Sequence, residues 1–238
     1  MSARLLLAAR ERQALVFAQT QQGPFDDLIL VAARRWKLDP FLFKGLLANE
    51  SELDPSRVGK REYASHDGRR LLVSGGAVGI AQFTAAGVDG VNALRARRRR
   101  NGALVLAFDL ERARVAEEAI PAAAELLAHL INRFGRDGGI TAYNSGGAGG
   151  RAVSRLGFWR ARHAGRLQRS GRVLLQGNHF LINVLARASW YREEAGLDPL
   201  YEPDILHPDS QRYITRAPAS QPQPLAALGS CRRASRVL

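Results

Sequence analysis

The segment from Pro40 to Glu50 constrains the fold of this chain more than any other stretch. Asp39 precedes it as a helix N-cap, and Pro40 fits the first helical position, where no backbone hydrogen bond is lost. Pro55 disfavours helical geometry at the residue before it, so the helix ends at or near Glu50, beside a loop. The sequence therefore predicts a largely apolar helix that ends in a carboxylate.

Glu50 has the properties of a general acid. Helical spacing places its side chain on the same face as Phe43, Leu46 and Leu47. A carboxyl group held among apolar side chains resists ionisation, so its pKa rises toward the range in which a general acid works near neutral pH. One proton donor on an apolar surface suggests a glycosidase. The alternative is an ordinary helix-end acid that is solvated or paired with an arginine.

Two further segments carry polar groups beside glycines. The stretch Gly76–Phe83 has two glycines three residues apart, which allow close backbone approach, and Gln82 offers a donor and an acceptor to an acetamido or peptide group. Tyr143 and Asn144 follow a long helix and precede a glycine-rich loop, so the phenol can orient a carboxyl group and the amide can bind a carbonyl. Taken alone, the first is a glycine-rich turn and Tyr143 is a core residue.

In this order, the three segments resemble the catalytic domain of the soluble lytic transglycosylases, which is related in fold to goose-type lysozyme. The matching motifs are ESELDP at 50–55, GAVGIAQF at 76–83 and AYNSG at 142–146. The resemblance covers residues 24–155. The chain departs from the family at Ala81, where many members have Met, and in the segment 59–75, which is longer than the usual connection and is either a lid or a solvated excursion.

The resemblance implies cleavage of the bond between N-acetylmuramic acid and N-acetylglucosamine in peptidoglycan. Glu50 would protonate the departing oxygen and then, as a base, let the muramoyl 6-hydroxyl close an anhydro ring. Tyr143 would position Glu50, while Gln82 and Asn144 would hold acetamido or peptide groups. Ser51 is a further candidate for contact with the substrate or with Glu50.

Two other functions compete with this interpretation. A hydrolytic lysozyme needs a second acid to activate water, and no signature selects one among the candidates Glu52, Asp54, Glu62, Asp67 and Asp89. A noncatalytic phage structural or ejection protein would retain the lysozyme-like scaffold, because fold does not guarantee activity. The presence of all four motif residues, Glu50, Gln82, Tyr143 and Asn144, argues against a decayed site.

The chain is strongly basic, with a net charge of +13 carried mostly by arginine. The stretch 138–192 has no acidic residue and nine arginines. It predicts binding of an anionic envelope polymer, a membrane surface or nucleic acid through Arg151, Arg155, Arg160, Arg162 and Arg166. The alternative is a solvated basic surface. A second run, at 95–100, precedes a turn signal and is interpreted as a loop near the cleft, with no accompanying DNA-binding signature.

The predicted fold is mainly α. It comprises an N-terminal helical segment over 1–23, a lysozyme-like catalytic domain over 24–155 and a basic C-terminal extension over 156–238. Helices are expected at 2–20, 26–36, 40–50 and 110–134, the last kinked at Pro121. The extension is expected to contain one helix at about 178–195 and a proline-rich tail.

Several classes of site and anchor are not expected. Cys231 is the only cysteine, and the five histidines lack metal-binding spacing, so no metal or cofactor is predicted. The glycines at 146–150 lack the Lys-Ser/Thr of a phosphate loop and are interpreted as a flexible hinge. The sequence shows neither a signal peptide nor a membrane span. Delivery to the cell wall is therefore expected from a phage virion, with an endolysin route or a secretion machine as alternatives.

Overall fold

The computed structural model describes residues 3–20, 23–59, 62–66, 69–74, 76–102, 104–163 and 177–200. The fold is mainly α, as the sequence predicts, with one antiparallel pair of strands. The helices are α1 (Ala3–Thr20), α2 (Asp26–Trp36), α3 (Pro40–Ser51), α4 (Ala85–Arg100), α5 (Ala116–Leu156), α6 (Phe158–His163) and α7 (Gly177–Glu194), with a 3₁₀ turn at Arg112–Arg114. Within these described residues, no helix is long and apolar enough to cross a membrane.

Helix α3 begins as the sequence predicts. The Asp39 carboxylate accepts hydrogen bonds from the backbone N–H groups of Phe41 at 2.9 Å and Leu42 at 3.4 Å. Pro40 occupies the first turn, and the helix ends at Ser51, one residue beyond the predicted end. Glu52 follows in the left-handed conformation as the C-cap. The helix therefore delivers Glu50 to its last turn, next to a sharp change in chain direction.

Helix α3 is enclosed on all sides. Ten of its twelve residues are buried, which is the pattern of a core helix rather than of a surface helix with one apolar stripe. Phe41 meets Phe17 of α1 edge to face, with ring centroids 5.0 Å apart. The ammonium of Lys44 is paired with the Asp26 carboxylate of α2 at 2.8 Å, and both side chains are buried. Helices α1, α2 and α7 therefore share α3 as their common packing partner.

Helix α7 crosses α3 at Gly45. A Cβ atom at Gly45 would lie 2.8 Å from the backbone nitrogen of Ala188 and 2.9 Å from the carbonyl oxygen of Val184, so only glycine allows this approach. Leu181 and Leu185 of α7 are fully buried. Helix α7 lies where the helix at 178–195 is expected, and its apolar face packs against the core around α3. The division into a catalytic domain and a basic extension stays a prediction. The proline-rich tail after residue 200 lies outside the described residues.

Helix α5 differs from the predicted helix at 110–134. It starts later, after the 3₁₀ turn, and its backbone stays helical through Pro121. The helical path breaks at Gly135, directly after the predicted end at 134, and again at Gly146, with φ of 76° and 77°. Positive φ is accessible to glycine without steric cost, whereas Pro121 near the helix start removes only one internal hydrogen bond. The kink expected at Pro121 is therefore replaced by two reversals at glycines.

The glycines after Tyr143 pack helices together. Gly149 and Gly150 are helical and buried. A Cβ atom at Gly150 would lie 2.8 Å from the Gly138 carbonyl oxygen, and one at Gly139 would lie 2.6 Å from the Ile131 Cα atom. The flexible hinge expected at 146–150 is thus a close crossing between successive parts of α5, made possible by the missing side chains.

The arginine run at 95–100 forms the end of α4, and its prediction as a loop is wrong. Arg95 Nε lies 3.2 Å and Arg98 Nη1 lies 2.8 Å from the Glu125 carboxylate of α5. Glu125 is only 3% exposed, so its charge requires cationic partners. Part of the run therefore has a structural role that its composition alone does not reveal.

The long connection at 59–75 contains a β-hairpin. Strand β1 (Glu62–His66) pairs antiparallel with strand β2 (Arg69–Ser74). The role of the hairpin as a lid stays a prediction.

The close approach at Gly45 leads to a test of the packing around α3. Gly45→Ala should lower the free energy of unfolding by about 1–3 kcal/mol, because the new methyl group meets the backbone of α7. Gly90→Ala is the matched control in the middle of α4, where a Cβ atom would have an ordinary 3.5 Å contact with Leu126. The control should gain up to about 1 kcal/mol from helix propensity. Urea unfolding measures both, and equal stability of the two variants would contradict the described crossing.

Candidate active site

Glu50 lies in the last turn of α3 and is half-buried. Among the described residues it has neither an ion-pair nor a hydrogen-bond partner, so the arginine pairing considered as an alternative is absent there. Burial raises the pKa of the Glu50 carboxyl from 4.5 to about 8. An uncompensated carboxyl group in a poorly hydrated site holds its proton at neutral pH, so Glu50 is available there as a proton donor.

The segment 76–83 forms a tight turn beside α3. Val78 and Phe83 exchange two backbone hydrogen bonds of 3.0 Å each. Gly79 and Gln82 have positive φ, at 75° and 49°. A Cβ atom at Gly79 would lie 1.9 Å from the Ala113 carbonyl oxygen, so no other residue fits the turn against the 3₁₀ helix. The first glycine-rich motif is thus a rigid turn packed between two helical elements.

Two hydroxyl groups fix this turn to its neighbours. Ser51 Oγ donates a hydrogen bond of 2.7 Å to the Ile80 carbonyl. Tyr143 Oη donates one of 3.1 Å to the Ala81 carbonyl, the next in the chain. Since Ser51 follows Glu50 directly, these bonds bring all three motif segments to the end of α3.

Ser51 is buried. It is 1% exposed, and its hydroxyl donates to the Ile80 carbonyl. Its contact with substrate or with Glu50 stays a prediction. Its described contacts couple the residue after Glu50 to the turn.

Tyr143 lies next to Glu50 but bonds elsewhere. Burial first, and the charge of Glu50 second, raise the pKa of the Tyr143 hydroxyl well above its ordinary value. The phenol is therefore neutral, and its described hydrogen bond goes to Ala81 rather than to the Glu50 carboxylate. Tyr143 thus orients the turn that flanks Glu50, and its direct control of the carboxyl group stays a prediction.

The two predicted amide ligands have different surroundings. Gln82 Nε2 donates to the carbonyls of Gly79 at 2.8 Å and Arg57 at 3.1 Å, so both amide hydrogens are engaged within the chain. Its carbonyl oxygen is the group left to accept from a ligand. Asn144 is exposed and makes no side-chain hydrogen bond among the described residues. Sequence reasoning missed Arg57, because its contribution is a backbone carbonyl that carries no side-chain signal.

Three of the candidate second acids are exposed in the described structure. Glu52 is an exposed helix cap, and Asp89 is exposed on α4. Asp54 is exposed and bonded to the Ser56 backbone and hydroxyl, which lowers its pKa. Glu62 is the first residue of β1, and Asp67 lies outside the described residues. Burial alone accounts for the raised pKa of Glu50. In the described ranges, no three His, Cys, Asp or Glu residues cluster to hold a metal ion.

The predicted polyanion-binding arginines lie in another region. Arg151, Arg155 and Arg160 are exposed, Arg162 packs over the Trp159 ring at 5.5 Å, and Arg166 is outside the described residues. An open pocket of about 440 Å³ has Arg155 and Arg160 in its lining and does not include the Glu50 site. The binding of nucleic acid or envelope polymer by these arginines stays a prediction.

Comparison with known proteins identifies similarity at two levels. The family model for the transglycosylase SLT domain matches residues 27–158. Among solved structures, the chain is similar to an inactive mutant of the lytic transglycosylase Slt from Pseudomonas aeruginosa, at 15% identity and a TM-score of 0.47. That match covers 74% of this chain and 25% of the Pseudomonas chain, so this chain spans about a quarter of its length. No curated protein sequence matches the chain significantly.

The raised pKa of Glu50 makes a thermodynamic prediction. The folded carboxyl keeps its proton up to a pH of about 8, whereas the unfolded one loses it near 4.5. The contribution of Glu50 to the free energy of unfolding is therefore complete below pH 4.5. It decreases by about 1.4 kcal/mol for each pH unit between 4.5 and about 8. Glu50→Gln should remove this decrease, so that the variant becomes the more stable protein toward pH 8.

Urea unfolding at a series of pH values from 4 to about 9 measures this effect. Glu52→Gln is the matched control, because it makes the same substitution at an exposed acid two positions away. The control should follow the wild type across the whole series. If the free energies of unfolding of Glu50→Gln and the wild type differ by the same amount at every pH, the Glu50 carboxyl has the same pKa in the folded and unfolded protein, which would contradict the prediction.

Proposed function

Since the chain belongs to the transglycosylase SLT domain family, we propose that it is a peptidoglycan lytic transglycosylase in which Glu50 is the catalytic acid and base. The observation that carries the proposal is a carboxyl group with a pKa of about 8 and no charged partner among the described residues. A donor that is protonated at neutral pH suits protonation of a glycosidic oxygen.

The proposed reaction has two steps. The Glu50 proton passes to the oxygen that joins N-acetylmuramic acid to N-acetylglucosamine, and the C–O bond at the anomeric carbon breaks. The substrate's own acetamido oxygen stabilises the positive anomeric carbon. The Glu50 carboxylate then removes the proton of the muramoyl 6-hydroxyl, and that oxygen bonds to the anomeric carbon. The product is a 1,6-anhydromuramoyl end, and Glu50 regains its proton.

This route requires one carboxyl group, which agrees with the surroundings of Glu50. Hydrolysis with inversion would require a second carboxylate about 6.5–9.5 Å away to activate water. The acids Glu52, Asp54 and Asp89 are exposed, and burial is the only cause of the raised pKa of Glu50. Peptidoglycan as substrate implies action at the bacterial cell wall, and delivery by a phage virion stays a prediction.

Substrate contacts are proposed for the two amide side chains. Asn144 follows Tyr143 directly and is exposed, so its amide suits an acetamido or peptide carbonyl. The free carbonyl oxygen of Gln82 suits an N–H donor. Ala81 is fully buried, so it supplies the turn with a carbonyl for Tyr143 and offers no side chain to the sugar.

Product analysis tests the proposed reaction. Purified peptidoglycan digested by the wild type should give anhydromuramoyl ends by mass spectrometry. Glu50→Gln should reduce turnover by about 10²–10⁴-fold or more, since it cannot donate or accept the proton. Glu52→Gln should keep wild-type activity. Reducing muramoyl ends would instead establish hydrolysis, and equal turnover by Glu50→Gln would exclude Glu50 as the catalytic group.

The pH dependence of turnover is a separate test. Activity should decline as the pH rises through about 8, by about tenfold per unit beyond it, because the proton needed for the first step is then lost. Glu52→Gln should show the same profile. A decline centred between pH 4 and about 5 would contradict the assignment, since it would match a carboxyl group with the ordinary pKa.

A further inference from the structure

Two leucines project from the surface next to the end of α4. Leu104 has a relative exposure of 104% and Leu106 of 72%, the highest values for large apolar side chains in the described part of the chain. Side chains of this type usually lose contact with water on folding. Two of them separated by one residue therefore point to a surface that is covered in use.

These leucines stand on a fixed support. Arg99 Nη1 donates to the Val105 carbonyl at 3.3 Å, and Arg95 Nη1 donates to the Leu106 carbonyl at 3.1 Å. Further along, Asn92 Nδ2 donates to the Phe108 carbonyl at 2.7 Å, and Asn92 Oδ1 accepts from the Phe108 N–H at 2.9 Å. Phe108 itself is 2% exposed. Hydrogen bonds from α4 thus hold the backbone of residues 105–108, while the side chains of the two leucines remain exposed.

Exposed positive charge lies beside the leucines. Helix α4 ends in four arginines, of which Arg98 is paired with Glu125. Arg99 and Arg100 are exposed and have no ion pair among the described residues. The Arg99 contact with Val105 places Arg99 beside the apolar segment, whereas Arg97, two positions earlier, lies on the opposite side of the helix. We call this set the leucine–arginine surface: Arg99, Arg100, Leu104 and Leu106.

We propose that the leucine–arginine surface docks the protein on an anionic lipid membrane. Arginines beside a bilayer pair with phosphate headgroups, and leucines next to them enter the acyl boundary. Both the charged and the apolar side chains of the surface are therefore stabilised by the bilayer. Nucleic acid or a wall polyanion would engage the arginines but would leave the two leucines in water. Charge complementarity together with the apolar pair therefore favours lipid. The proposal is independent of the catalytic assignment.

Vesicle co-sedimentation of the full chain tests this directly, without peptidoglycan. The wild type should bind vesicles made of equal parts phosphatidylglycerol and phosphatidylcholine, and should bind phosphatidylcholine alone at least about tenfold more weakly. Leu104→Ala combined with Leu106→Ala should weaken binding to the mixed vesicles by about tenfold or more. Arg99→Gln combined with Arg100→Gln should do the same at low salt.

Matched controls change the same residue types elsewhere. Leu15→Ala with Val31→Ala truncates two other exposed apolar residues, and Arg10→Gln with Arg12→Gln removes two other exposed charges, on α1. Both controls should bind vesicles as the wild type does. Unchanged binding by the double leucine variant would overturn the proposal, as would an equal loss of binding in the Arg10 and Arg12 control, or absence of vesicle binding by the wild type. If the wild type is a dimer and the double leucine variant is a monomer that still binds vesicles, the surface is a self-association interface instead.

Discussion

The enclosure of α3 is the constraint on which the rest of the structure depends. An apolar helix without a polar face requires neighbours on every side. Helices α1, α2 and α7 supply them, and Gly45 lets α7 approach to backbone contact. The last turn is the one part of α3 that leaves this enclosure, and Glu50 and Ser51 lie there. Ser51 remains buried and bonded, whereas Glu50 is half-buried and has no hydrogen-bond or ion-pair partner among the described residues.

The site combines a destabilised group with a rigid support. Burial opposes the ionisation of the Glu50 carboxyl, which has no charged partner among the described residues. Ser51 and Tyr143 donate to successive carbonyls of the turn at 76–83, and Gly79 packs the turn against the 3₁₀ helix. These contacts hold the turn without any bond to Glu50.

Sequence reasoning succeeded where a local signal has one structural meaning. Asp39, Pro40 and Pro55 defined α3 to within one residue, and the apolar face of that helix predicted the raised pKa of Glu50. It failed where contacts with residues distant in sequence determine the conformation or the packing of a segment. Arg95 and Arg98 lie in helix α4 and pair with the buried Glu125. Helix α7 packs against the core at Gly45. Neither partner is visible from local composition, and the bond of Ser51 to a backbone carbonyl has no sequence signature.

The Glu50 carboxyl is expected to be protonated at neutral pH, because burial raises its pKa and no cationic partner lies among the described residues. Carbon-13 NMR titration of the Glu50 side-chain carboxyl, assigned by its disappearance in Glu50→Gln, measures this without substrate. A midpoint near the pKa of about 8 is expected. A midpoint close to the ordinary value of 4.5 would contradict it, since the carboxyl group would then be ionised and hydrated at neutral pH.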